Sequence, residues 1–579
     1  MGPRSRGPVL FLVPARGGSR RIPGKNLREV AGIPLVGHAV RTARIAAGFC
    51  PGGPHVVACS TDDAAIAATA RAWGADIVDR PADLATDTAA SLDVVLQAID
   101  VLGASGRRPG TVVLLQATSP LTDAADVAAA LELFDDAGGQ SVVSVTSTHP
   151  AAWHQEGEPG GPIRPVDAGN ARLMLSGAFY ITDSQRLVER RAFVEPGVTL
   201  GYLVGPERSI DIDEPADLLL AEQLAAARPT ARVNVAGREI GRGPVFVIAE
   251  AGVNHNGDEA IAHRLIEAAA GAHADAVKFQ TFDPAALAAA STPIAEYQRR
   301  AGETGDQREM LGRLALSADA WPRLQAHARE CGLIFLSTPF DDESALLLDR
   351  LDLPAFKVGS GELTNLPFLE RLARFGRPML VSTGMAEMVE VAAAIDAIRG
   401  AGNQDVALFH CVSAYPARAE DANLRAIATM RAAFGVPVGW SDHTPGIELP
   451  IAAVALGASM IEKHLTLDRT MTGPDHAASL EPHEFGALAT ATRTAESALG
   501  SGRKVPVEAE RPIAEVARRS LHWRLDLEAG RAVGPDDLVA LRPGTGVSPA
   551  RLRDLVGRHT ARSVEGGRPV VEDDLEDHP

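Results

Sequence analysis

The sequence predicts an α/β protein with three parts: an open, doubly wound sheet, a (β/α)8 barrel and a small carboxyl-terminal unit. Strand-like and helix-like segments alternate along the chain, which is typical of parallel sheets with helical crossovers. From Val245 onward eight such pairs follow one another, the number found in a (β/α)8 barrel. The predicted boundaries are 1–228 for the first domain, 229–243 for a linking hairpin, 244–505 for the barrel and 512–579 for the tail.

The composition narrows the classes of function. The net charge of −18 is spread along the 579 residues, which argues against a nucleic-acid partner. The four cysteines lack CxxC spacing and indicate a reducing cytoplasm. No apolar run has the length of a signal peptide or a membrane span. We therefore expect a cytoplasmic protein with small-molecule substrates and no membrane partner.

The first predicted strand, Val9 to Val13, runs into a loop rich in glycine and cations, from Pro14 to Asn26. Backbone amides and basic side chains of such a loop can converge on phosphates. It is not a Walker A loop, because the spacing from Gly18 to Gly24 is one residue too long and Asn26 replaces Ser or Thr. The alternative is a basic surface turn.

Further strands with intervening helices predict a mostly parallel sheet that binds ligands at the carboxyl ends of its strands. These strands are Val56–Ser60, Ile77–Val78, Thr111–Leu115, Ser141–Val145 and Gly177–Ile181. Near the end of the domain, Asp211 and Asp213 face the same way on an extended segment, since they are two residues apart. Such paired carboxylates suit Mg²⁺. The alternative is two solvated acids ahead of a helix that begins near Pro215.

Taken together, these motifs resemble the CMP-sialic acid synthetases, which are cytidylyltransferases for nine-carbon acid sugars. The matching segments are PARGGS-x-RIPGKN, Arg80-Pro81 with Leu84–Thr88, the run from Gln116 to Leu121, Gly177–Tyr180 and Ser209–Asp213. The resemblance implies that the anomeric hydroxyl of the sugar attacks the α-phosphate of CTP and that pyrophosphate leaves. It assigns CTP to Arg16, Ser19, Arg21, Lys25, Asn26, Arg80 and Ser91, the sugar to Gln116 and Tyr180, and Mg²⁺ to Asp211 and Asp213.

Three departures from this family pattern lie on the sugar side. The lysine that many relatives have after His149-Pro150 is missing, Ser176 precedes Gly177 where relatives have asparagine, and a paired-Phe segment is reduced to Phe193-Val194. The nucleotide assignment therefore stands better than the identity of the sugar.

The predicted hairpin from Val233 to Gly241 precedes the barrel and could plug its amino-terminal end. The eight barrel strands are predicted at Val245–Glu250, Ala276–Thr281, Leu333–Ser337, Ala355–Gly359, Pro378–Ser382, Val406–Cys411, Pro437–Ser441 and Ser459–His464.

Polar side chains stand at or just past every one of these strand ends. Two of the strands close on histidine, at His443 and His464, and in a barrel both imidazoles would point at the same rim and could hold a divalent metal. The alternative is two unrelated histidines. The other residues bring two lysines and several hydroxyls together, which suits a phosphate: Glu250, Lys278, Gln280, Thr338, Lys357, Ser360, Glu362, Ser382, Thr383, Ser413, Tyr415 and Ser441.

The barrel segments resemble the sialic acid synthases, which condense phosphoenolpyruvate with an N-acyl mannose-type sugar. The matching motifs are IAEAGVNHNG at Ile248, KFQT at Lys278, STPF at Ser337, KVGSGE at Lys357, STGM at Ser382, HC-x-SAYP at His410, SDHT at Ser441, EKH at Glu462 and GPDHAAS at Gly473. The resemblance assigns phosphoenolpyruvate to Lys278, Thr338, Lys357, Ser360, Ser382, Ser413, Tyr415 and Ser441. It assigns Mn²⁺ or Mg²⁺ to His443 and His464, proton transfer to Glu250, and the sugar or metal-bound water to Gln280, Glu362 and Asp475.

After the linker Gly500 to Pro512, the tail resembles the antifreeze-like (SAF) domain that ends sialic acid synthases. Leu541–Gly544 matches the family segment whose arginine, here Arg542, contacts the acyl sugar in a partner subunit's barrel. The resemblance implies a homodimer with shared active sites. The alternative is a module that only adds stability.

The sequence thus predicts a bifunctional enzyme whose barrel makes a sialic-type acid and whose first domain activates it with CTP. In one alternative, the sugar is a diacetamido-trideoxymannose and the product is CMP-legionaminic acid; His476 favours the neuraminic or legionaminic branch over the pseudaminic one. In another, one half is degenerate and serves only for binding or assembly.

Overall fold

The structure, a computed structural model, describes residues 7–50, 54–86, 89–147, 153–155, 163–165, 173–300 and 302–576. Asp87, Thr88 and the segment His149 to Ala152, all part of the motifs discussed above, lie outside these residues. The chain divides into two compact units, Met1–Ala498 and Leu499–Pro579. The four domain boundaries proposed from the sequence stay predictions.

The first domain is built on a seven-stranded sheet. Its strand order is β11-β7-β10-β6-β1-β4-β5, with β10 antiparallel to both neighbours and all other pairs parallel. The strands of this domain are β1 Val9–Pro14, β2 Glu29–Val30, β3 Ile33–Pro34, β4 His55–Thr61, β5 Asp76–Asp79, β6 Thr111–Leu115, β7 Val142–Ser147, β8 Trp153–Gln155, β9 Ile163–Pro165, β10 Leu173–Asp183 and β11 Leu200–Leu203.

Helices cover both faces of this sheet, as predicted. Every residue of β6 is buried, because a parallel strand between two helical layers needs an uninterrupted apolar run. Along β1, Phe11 and Val13 join one core while Leu10 and Leu12 join the other. The helices are α1 Leu35–Phe49, α2 Ala64–Ala72, α3 Ser91–Ala104, α4 Ala124–Asp136, α5 Ser184–Arg190 and α6 Pro215–Ala226.

The eight predicted barrel strands are all present. Their order is β16-β15-β14-β21-β20-β19-β18-β17, and the two end strands, β16 and β17, adjoin, so the barrel is nearly closed. The first strand continues past Glu250 to Gly252, two residues beyond the predicted end. The strands are β14 Phe246–Gly252, β15 Ala276–Thr281, β16 Ile334–Pro339, β17 Phe356–Val358, β18 Met379–Ser382, β19 Val406–Cys411, β20 Val438–Asp442 and β21 Met460–His464.

Helices follow the barrel strands, with extra short helices between β15 and β16. Several helices begin at an aspartate; the Asp258 carboxylate, for example, accepts hydrogen bonds from the first amides of its helix, which stabilises the exposed helix end. The helices are α7 Glu259–Gly271, α8 Pro284–Leu287, α9 Glu296–Arg300, α10 Gln307–Leu314, α11 Ala320–Glu330, α12 Asp342–Arg350, α13 Leu366–Ala373, α14 Met388–Gly400, α15 Ala426–Phe434, α16 Glu448–Ala455 and α17 Pro482–Leu499. No helix among the described residues is long and apolar enough to cross a membrane.

The hairpin before the barrel, β12 (Val233–Val235) and β13 (Arg238–Ile240), closes the barrel's amino-terminal end. Val233, Val235 and Ile240 are fully buried in one cluster with Phe246 and Met460, the first residues of β14 and β21. The predicted plug is confirmed, and it leaves only the carboxyl-terminal end of the barrel open to substrates.

The first domain packs directly on the outer helices of the barrel. Arg41 of α1 donates two hydrogen bonds to the Asp396 carboxylate of α14, at 2.7 and 3.1 Å. Gly32 has a positive φ of 71°, and a Cβ there would lie 2.6 Å from Thr429 Cγ2 of α15. Glycine is required at this close approach.

The second unit has its own small core. It contains the antiparallel pair β22 (Ser520–Trp523) and β23 (Leu538–Leu541). Leu521 and Trp523 of β22 are buried in one cluster with Leu555. The Trp523 indole donates a hydrogen bond to Asp574 Oδ2 at 3.1 Å, so its buried N–H is satisfied. The helices are α18 Arg511–Ala517 and α19 Leu552–Leu555.

Candidate active sites

Two lysines form the centre of the open end of the barrel. Lys278 Nζ lies 2.6 Å from Glu250 Oε2 and donates a hydrogen bond to Thr338 Oγ1 at 3.1 Å. Lys357 Nζ donates to Ser382 Oγ at 2.7 Å. Both lysines are buried at strand positions whose side chains point into the barrel. The five side chains, which the sequence predicted to converge, therefore form two contacting groups: Lys278 with Glu250 and Thr338, and Lys357 with Ser382.

Glu462 completes this cluster, and the sequence analysis gave it no role. Its carboxylate lies 3.4 Å from Lys357 Nζ and 3.9 Å from Lys278 Nζ, and it accepts a hydrogen bond from Ser441 Oγ at 3.0 Å. Glu462 stands two residues before His464 on the same strand, so the alternation of side chains places both on the inner face. That spacing is the signal that could have identified it.

The cluster contains two lysines and two glutamates, and the pKa values of the two glutamates are shifted in opposite directions. Burial raises the pKa of Glu250 to about 7, in spite of Lys278. Burial also acts to raise the pKa of Glu462, but Lys278 and Lys357 outweigh it and lower that pKa to about 2. One carboxylate is thus a fixed negative charge, while the other can gain or lose a proton near neutral pH, which suits proton transfer.

The two histidines predicted to bind metal lie side by side. The ring centroids of His443 and His464 are 5.6 Å apart, and the Tyr415 ring lies tilted with its centroid 4.2 Å from that of His443. His443 Nδ1 donates a hydrogen bond to the Val412 carbonyl at 2.7 Å, which leaves its Nε2 with a free lone pair. Burial lowers the pKa of both histidines, so both are neutral, as metal ligands must be.

This arrangement fits a divalent metal held by two imidazoles. His464 Nδ1 is buried and has no hydrogen-bond partner; the Asp475 carboxylate lies 3.8 Å away. Within the described ranges, no group of three or more His, Cys, Asp or Glu side chains could hold a metal ion. A metal bound here would therefore take its remaining ligands from substrate and water.

Hydroxyl groups cluster around Gly384, just past β18. The Gly384 amide donates a hydrogen bond to Ser360 Oγ at 3.1 Å. A Cβ at this position would lie 2.3 Å from Ser413 Oγ and 2.8 Å from Ser360 Oγ, so only glycine leaves the hydroxyls room. Cys411, which the sequence analysis did not assign, has its sulfur 3.2 Å from Ser360 Oγ.

The predicted sugar-side residues of the barrel differ in how deeply they are buried and in their hydrogen-bond partners. Gln280 Nε2 donates to Glu250 Oε1 at 3.1 Å and so belongs to the lysine cluster. Asp475 is buried beside His464, and burial raises its pKa to about 6. Glu362 is only half-buried and accepts a hydrogen bond from Asn365 Nδ2 at 2.8 Å.

In the first domain, the cation-rich loop after β1 is joined to the predicted acid pair. Lys25 Nζ donates hydrogen bonds to the Ile212 carbonyl at 2.8 Å and to Asp213 Oδ1 at 3.1 Å. Asn26 Nδ2 donates to the Arg16 carbonyl at 2.9 Å, which folds the loop back on itself. Arg21 lies 3.9 Å from Asp213 on the open side. The structure thus brings together residues almost two hundred positions apart in the chain.

The second acid of the pair, Asp211, faces the predicted sugar side. Asp211 is exposed as a whole, but partial desolvation of its carboxyl group raises its pKa, and a hydrogen bond from Thr118 only partly offsets this effect. Burial and the Asp211 charge also raise the pKa of Tyr180, which shows that the two side chains share one environment. Carboxylate oxygens are the ligands that Mg²⁺ prefers, so the pair fits that ion.

The remaining predicted residues of this domain lie at strand ends, within the loop or at the start of a helix. The buried Arg80 guanidinium donates to the Ser60 carbonyl at 2.7 Å and to Ser60 Oγ at 3.2 Å, so it braces the end of β4. Gln116 directly follows β6, Ser19 lies within the loop, and Ser91 is the exposed first residue of α3. In the second unit, Arg542 follows β23 and is exposed.

Comparison with known proteins first defines the class. The open sheet with its cation-rich loop is of the nucleotidyltransferase type, and residues 10–152 match the model of a cytidylyltransferase family. Residues 518–576 match the SAF domain. The chain is an enzyme in which a nucleotidyltransferase domain is joined to a synthase barrel.

Residues 265–504 match the model of the NeuB family. The chain belongs to this family, with a cytidylyltransferase domain fused ahead of the barrel and a SAF domain after it. The predicted fusion is confirmed.

The relatives cover the synthase part of the chain. The N,N'-diacetyllegionaminic acid synthase of Legionella pneumophila is 43% identical over 57% of this chain and 94% of its own length. That of Campylobacter jejuni is 42% identical over 55% of this chain and 97% of its own. The N-acetylneuraminate-9-phosphate synthase of Mus musculus is 36% identical over 58% and 94%. The sialic acid synthetase structure from Leptospira borgpetersenii is 34% identical, with a TM-score of 0.44, over 50% of this chain and 97% of its own.

Proposed function

We propose that this protein catalyses two consecutive reactions in sialic-type sugar biosynthesis. The barrel condenses phosphoenolpyruvate with an N-acyl mannose-type sugar to give a nine-carbon acid. The first domain then transfers CMP from CTP to that acid. The observation that carries this proposal is the buried lysine and carboxylate cluster beside two neutral histidines, in a NeuB-family barrel fused to a cytidylyltransferase domain.

In the condensation, the phosphate and carboxylate of phosphoenolpyruvate are held by the cluster's cations and hydroxyls. Lys278 and Lys357 supply the positive charge, and the hydroxyls around Gly384 supply directed hydrogen bonds. These phosphoenolpyruvate ligands are Lys278, Thr338, Lys357, Ser360, Ser382, Ser413, Tyr415 and Ser441. Both lysine side chains are almost fully buried, which strengthens their electrostatic contacts.

The enol carbon of phosphoenolpyruvate attacks the sugar aldehyde, water adds to the resulting oxocarbenium carbon, and phosphate leaves. The aldehyde oxygen must gain a proton and the attacking water must lose one. Glu250, with its pKa near 7, is the group for proton transfer. Mn²⁺ or Mg²⁺ bound by His443 and His464 would polarise the aldehyde. Gln280, Glu362 and Asp475 contact the sugar or water.

In the second reaction, the anomeric hydroxyl of the acid attacks the α-phosphate of CTP. Arg16, Ser19, Arg21, Lys25 and Asn26 hold the triphosphate from the loop, with Arg80 and Ser91 on the crevice wall. Mg²⁺ bound by Asp211 and Asp213 would offset charge on the departing pyrophosphate. Gln116 and Tyr180 face the sugar.

A diacetamido-trideoxymannose is the second candidate substrate. The relatives that are 43% and 42% identical are named for N,N'-diacetyllegionaminic acid. The first domain also departs from the sialic family pattern at sugar-side residues, among them Ser176 and Phe193. The product would then be CMP-legionaminic acid.

A one-pot reaction tests both halves of the proposal. The full chain is incubated with phosphoenolpyruvate, CTP, Mg²⁺ or Mn²⁺ and either N-acetylmannosamine or the diacetamido sugar, and products are identified by mass spectrometry. A CMP-linked nine-carbon acid from one sugar is expected. The free acid alone would contradict the second activity, and no product from either sugar would contradict both.

The quaternary part of the proposal is a homodimer in which Arg542 reaches the barrel of the partner subunit. It is tested by mixing Arg542→Ala chains with Lys357→Ala chains, each inactive alone. Recovery of condensation activity is expected, since a mixed dimer has one intact composite site. If activity does not return in confirmed mixed dimers, the sites are not shared.

The free cysteines are in keeping with a cytoplasmic enzyme.

A further inference from the structure

A fully buried ion pair lies directly behind the two histidines. Asp442 Oδ2 and Lys463 Nζ are 2.5 Å apart, and both side chains have 0% exposure. The two residues are partners across β20 and β21, and each immediately precedes a histidine of the site. Because successive side chains of a strand point to opposite faces, the pair lies behind the barrel wall while the histidines face the interior.

The pair also fastens the loop that carries His443. Asp442 Oδ1 accepts hydrogen bonds from the Thr444 amide at 2.9 Å and from Thr444 Oγ1 at 2.8 Å. Lys463 Nζ donates a second hydrogen bond, to the Thr444 carbonyl. Both chain neighbours of His443, Asp442 and Thr444, are therefore fixed by hydrogen bonds. Lys463 links them to the strand that carries His464.

Stability alone does not account for this network. A buried ion pair seldom stabilises a fold more than apolar side chains of the same shape would, because both charges lose their hydration. A fixed geometry is what the pair provides and apolar residues do not. Two imidazoles must be held to within about 0.2 Å of their ideal distances to bind one ion well.

We infer that Asp442, Lys463 and Thr444 are positioning residues that set the spacing of His443 and His464 for a shared divalent metal. This inference rests on the proposed two-histidine site. Asp442 and Lys463 do not touch the substrates, so their effect is on metal affinity in the absence of any reaction.

The test replaces the pair by apolar residues of similar shape, in the variant Asp442→Leu/Lys463→Met. The metal-free full chain is titrated with Mn²⁺, and the affinity and the thermal unfolding midpoint are both measured. We expect the unfolding midpoint to stay close to that of the parent protein and Mn²⁺ affinity to fall by about 10–100-fold, the usual effect of losing the partners behind a metal ligand. Parental affinity in this variant would overturn the inference.

A control removes a less buried ion pair at the closed end of the same barrel. Arg493 and Asp275, 2.6 Å apart, are replaced in Asp275→Leu/Arg493→Met, which should leave Mn²⁺ affinity unchanged. An equal loss in this control would mean that any lost ion pair loosens the barrel, and that also overturns the inference.

Two further variants cover the remaining outcomes. If the apolar double variant does not fold, Thr444→Val is used instead, because it removes one hydrogen bond of the network and keeps the shape of the side chain. A smaller loss of Mn²⁺ affinity is expected from this variant. No loss would contradict the inference. All proteins in this titration carry Asp211→Asn and Asp213→Asn, so that the acid pair of the first domain does not bind Mn²⁺. In this background His443→Ala should abolish binding. If the parent protein and His443→Ala both fail to bind Mn²⁺, the two-histidine site itself is wrong and the inference fails with it.

Discussion

The two candidate sites of this molecule differ in how they hold charge. In the barrel, Lys278 and Glu250 each expose 3% of their side chains and form a direct ion pair. In the first domain, Arg21 and Asp213 expose 65% and 57% and lie at the limit of an ion contact. Charges interact far more strongly in a buried environment than in water. The barrel site is therefore held by buried ion pairs, whereas the loop site is anchored through Lys25 and keeps Arg21 and Asp213 largely in solvent.

This difference matches the chemistry proposed for each site. Formation of a carbon–carbon bond needs reacting groups sheltered from water and a proton carrier of adjusted pKa. Phosphoryl transfer needs mainly positive charge around oxygens that are themselves charged, and solvated side chains with a metal can supply it. Substitutions should therefore affect stability in the barrel and mainly activity in the first domain.

The largest effect is expected from Lys278→Met. Removing this cation leaves Glu250 and Glu462 buried with only Lys357, and breaking a buried pair in this way typically destabilises a protein by about 3–5 kcal/mol. Condensation should be lost and the thermal unfolding midpoint of the barrel should fall. The double variant Lys278→Met/Glu250→Gln should recover part of the stability but none of the condensation activity. A stable, active Lys278→Met protein would contradict the role of the cluster.

Asp211→Asn is the counterpart in the first domain. We expect CMP transfer to fall by about 100-fold or more, because a charge that stabilises the transition state is lost. The unfolding midpoint and the condensation rate should not change, since Asp211 borders solvent and lies outside the barrel. Separate assays with free acid plus CTP, and with phosphoenolpyruvate plus sugar, measure the two activities. A parallel loss of both would indicate that the sites depend on each other.

The pH dependence of the barrel reaction should follow Glu250. With a pKa of about 7 in the folded protein, the pH profile of kcat/KM for condensation should show an inflection near pH 7 that is absent in Glu250→Gln. A profile of the same shape in both proteins would exclude Glu250 as the titrating group.

Stability supplies an independent readout of the same carboxyl group. The pKa of Glu250 is raised from 4.5 in the folded protein, so the unfolded chain releases this proton at lower pH. As pH rises from about 4.5 to 7, the parent should therefore lose stability relative to Glu250→Gln.

The effect of Glu462 on stability has the opposite pH dependence. Its pKa of about 2 gives stability that is present above pH 4.5 and is lost as pH falls toward 2. Thermal unfolding of the parent protein, Glu250→Gln and Glu462→Gln between about pH 2 and 7 measures both effects.

The sequence predicted the barrel better than it predicted the electrostatics of its site. All eight strands were found because parallel strands are continuous apolar runs with a polar end, a pattern visible without the structure. Glu462 was missed because the EKH motif was interpreted through its histidine alone. Its importance comes from two lysines on other strands, and that convergence is a property of the closed barrel. Strand ends were off by one or two residues, as at Gly252, which stays paired with β15 beyond an irregularity after Glu250 and has a positive φ of 52°.

In the first domain, the loop and the acid pair were each visible in the sequence, but their direct connection through Lys25 was not. Arg80 illustrates a different limit. Family resemblance assigns it to CTP, and the structure adds that its guanidinium is buried against Ser60 and braces a strand end, a contact that the motif alone does not show. Sequence motifs show which residues occur together at a site, and the contacts show which of them are free to meet a ligand.

The smallest effect is expected from Arg21→Ala. This guanidinium is exposed, and its ion contacts with the described residues are long. Its loss should therefore leave the unfolding midpoint unchanged and raise KM for CTP by less than about tenfold. The rise in KM for CTP with added salt should become less steep, because salt screens exposed charges first. Arg107→Ala, an exposed arginine paired with Asp76 instead, serves as the matched control and should behave like the parent. A destabilised Arg21→Ala protein would mean that the loop, like the barrel, is held together by its own charges, and the contrast between the two sites would fail.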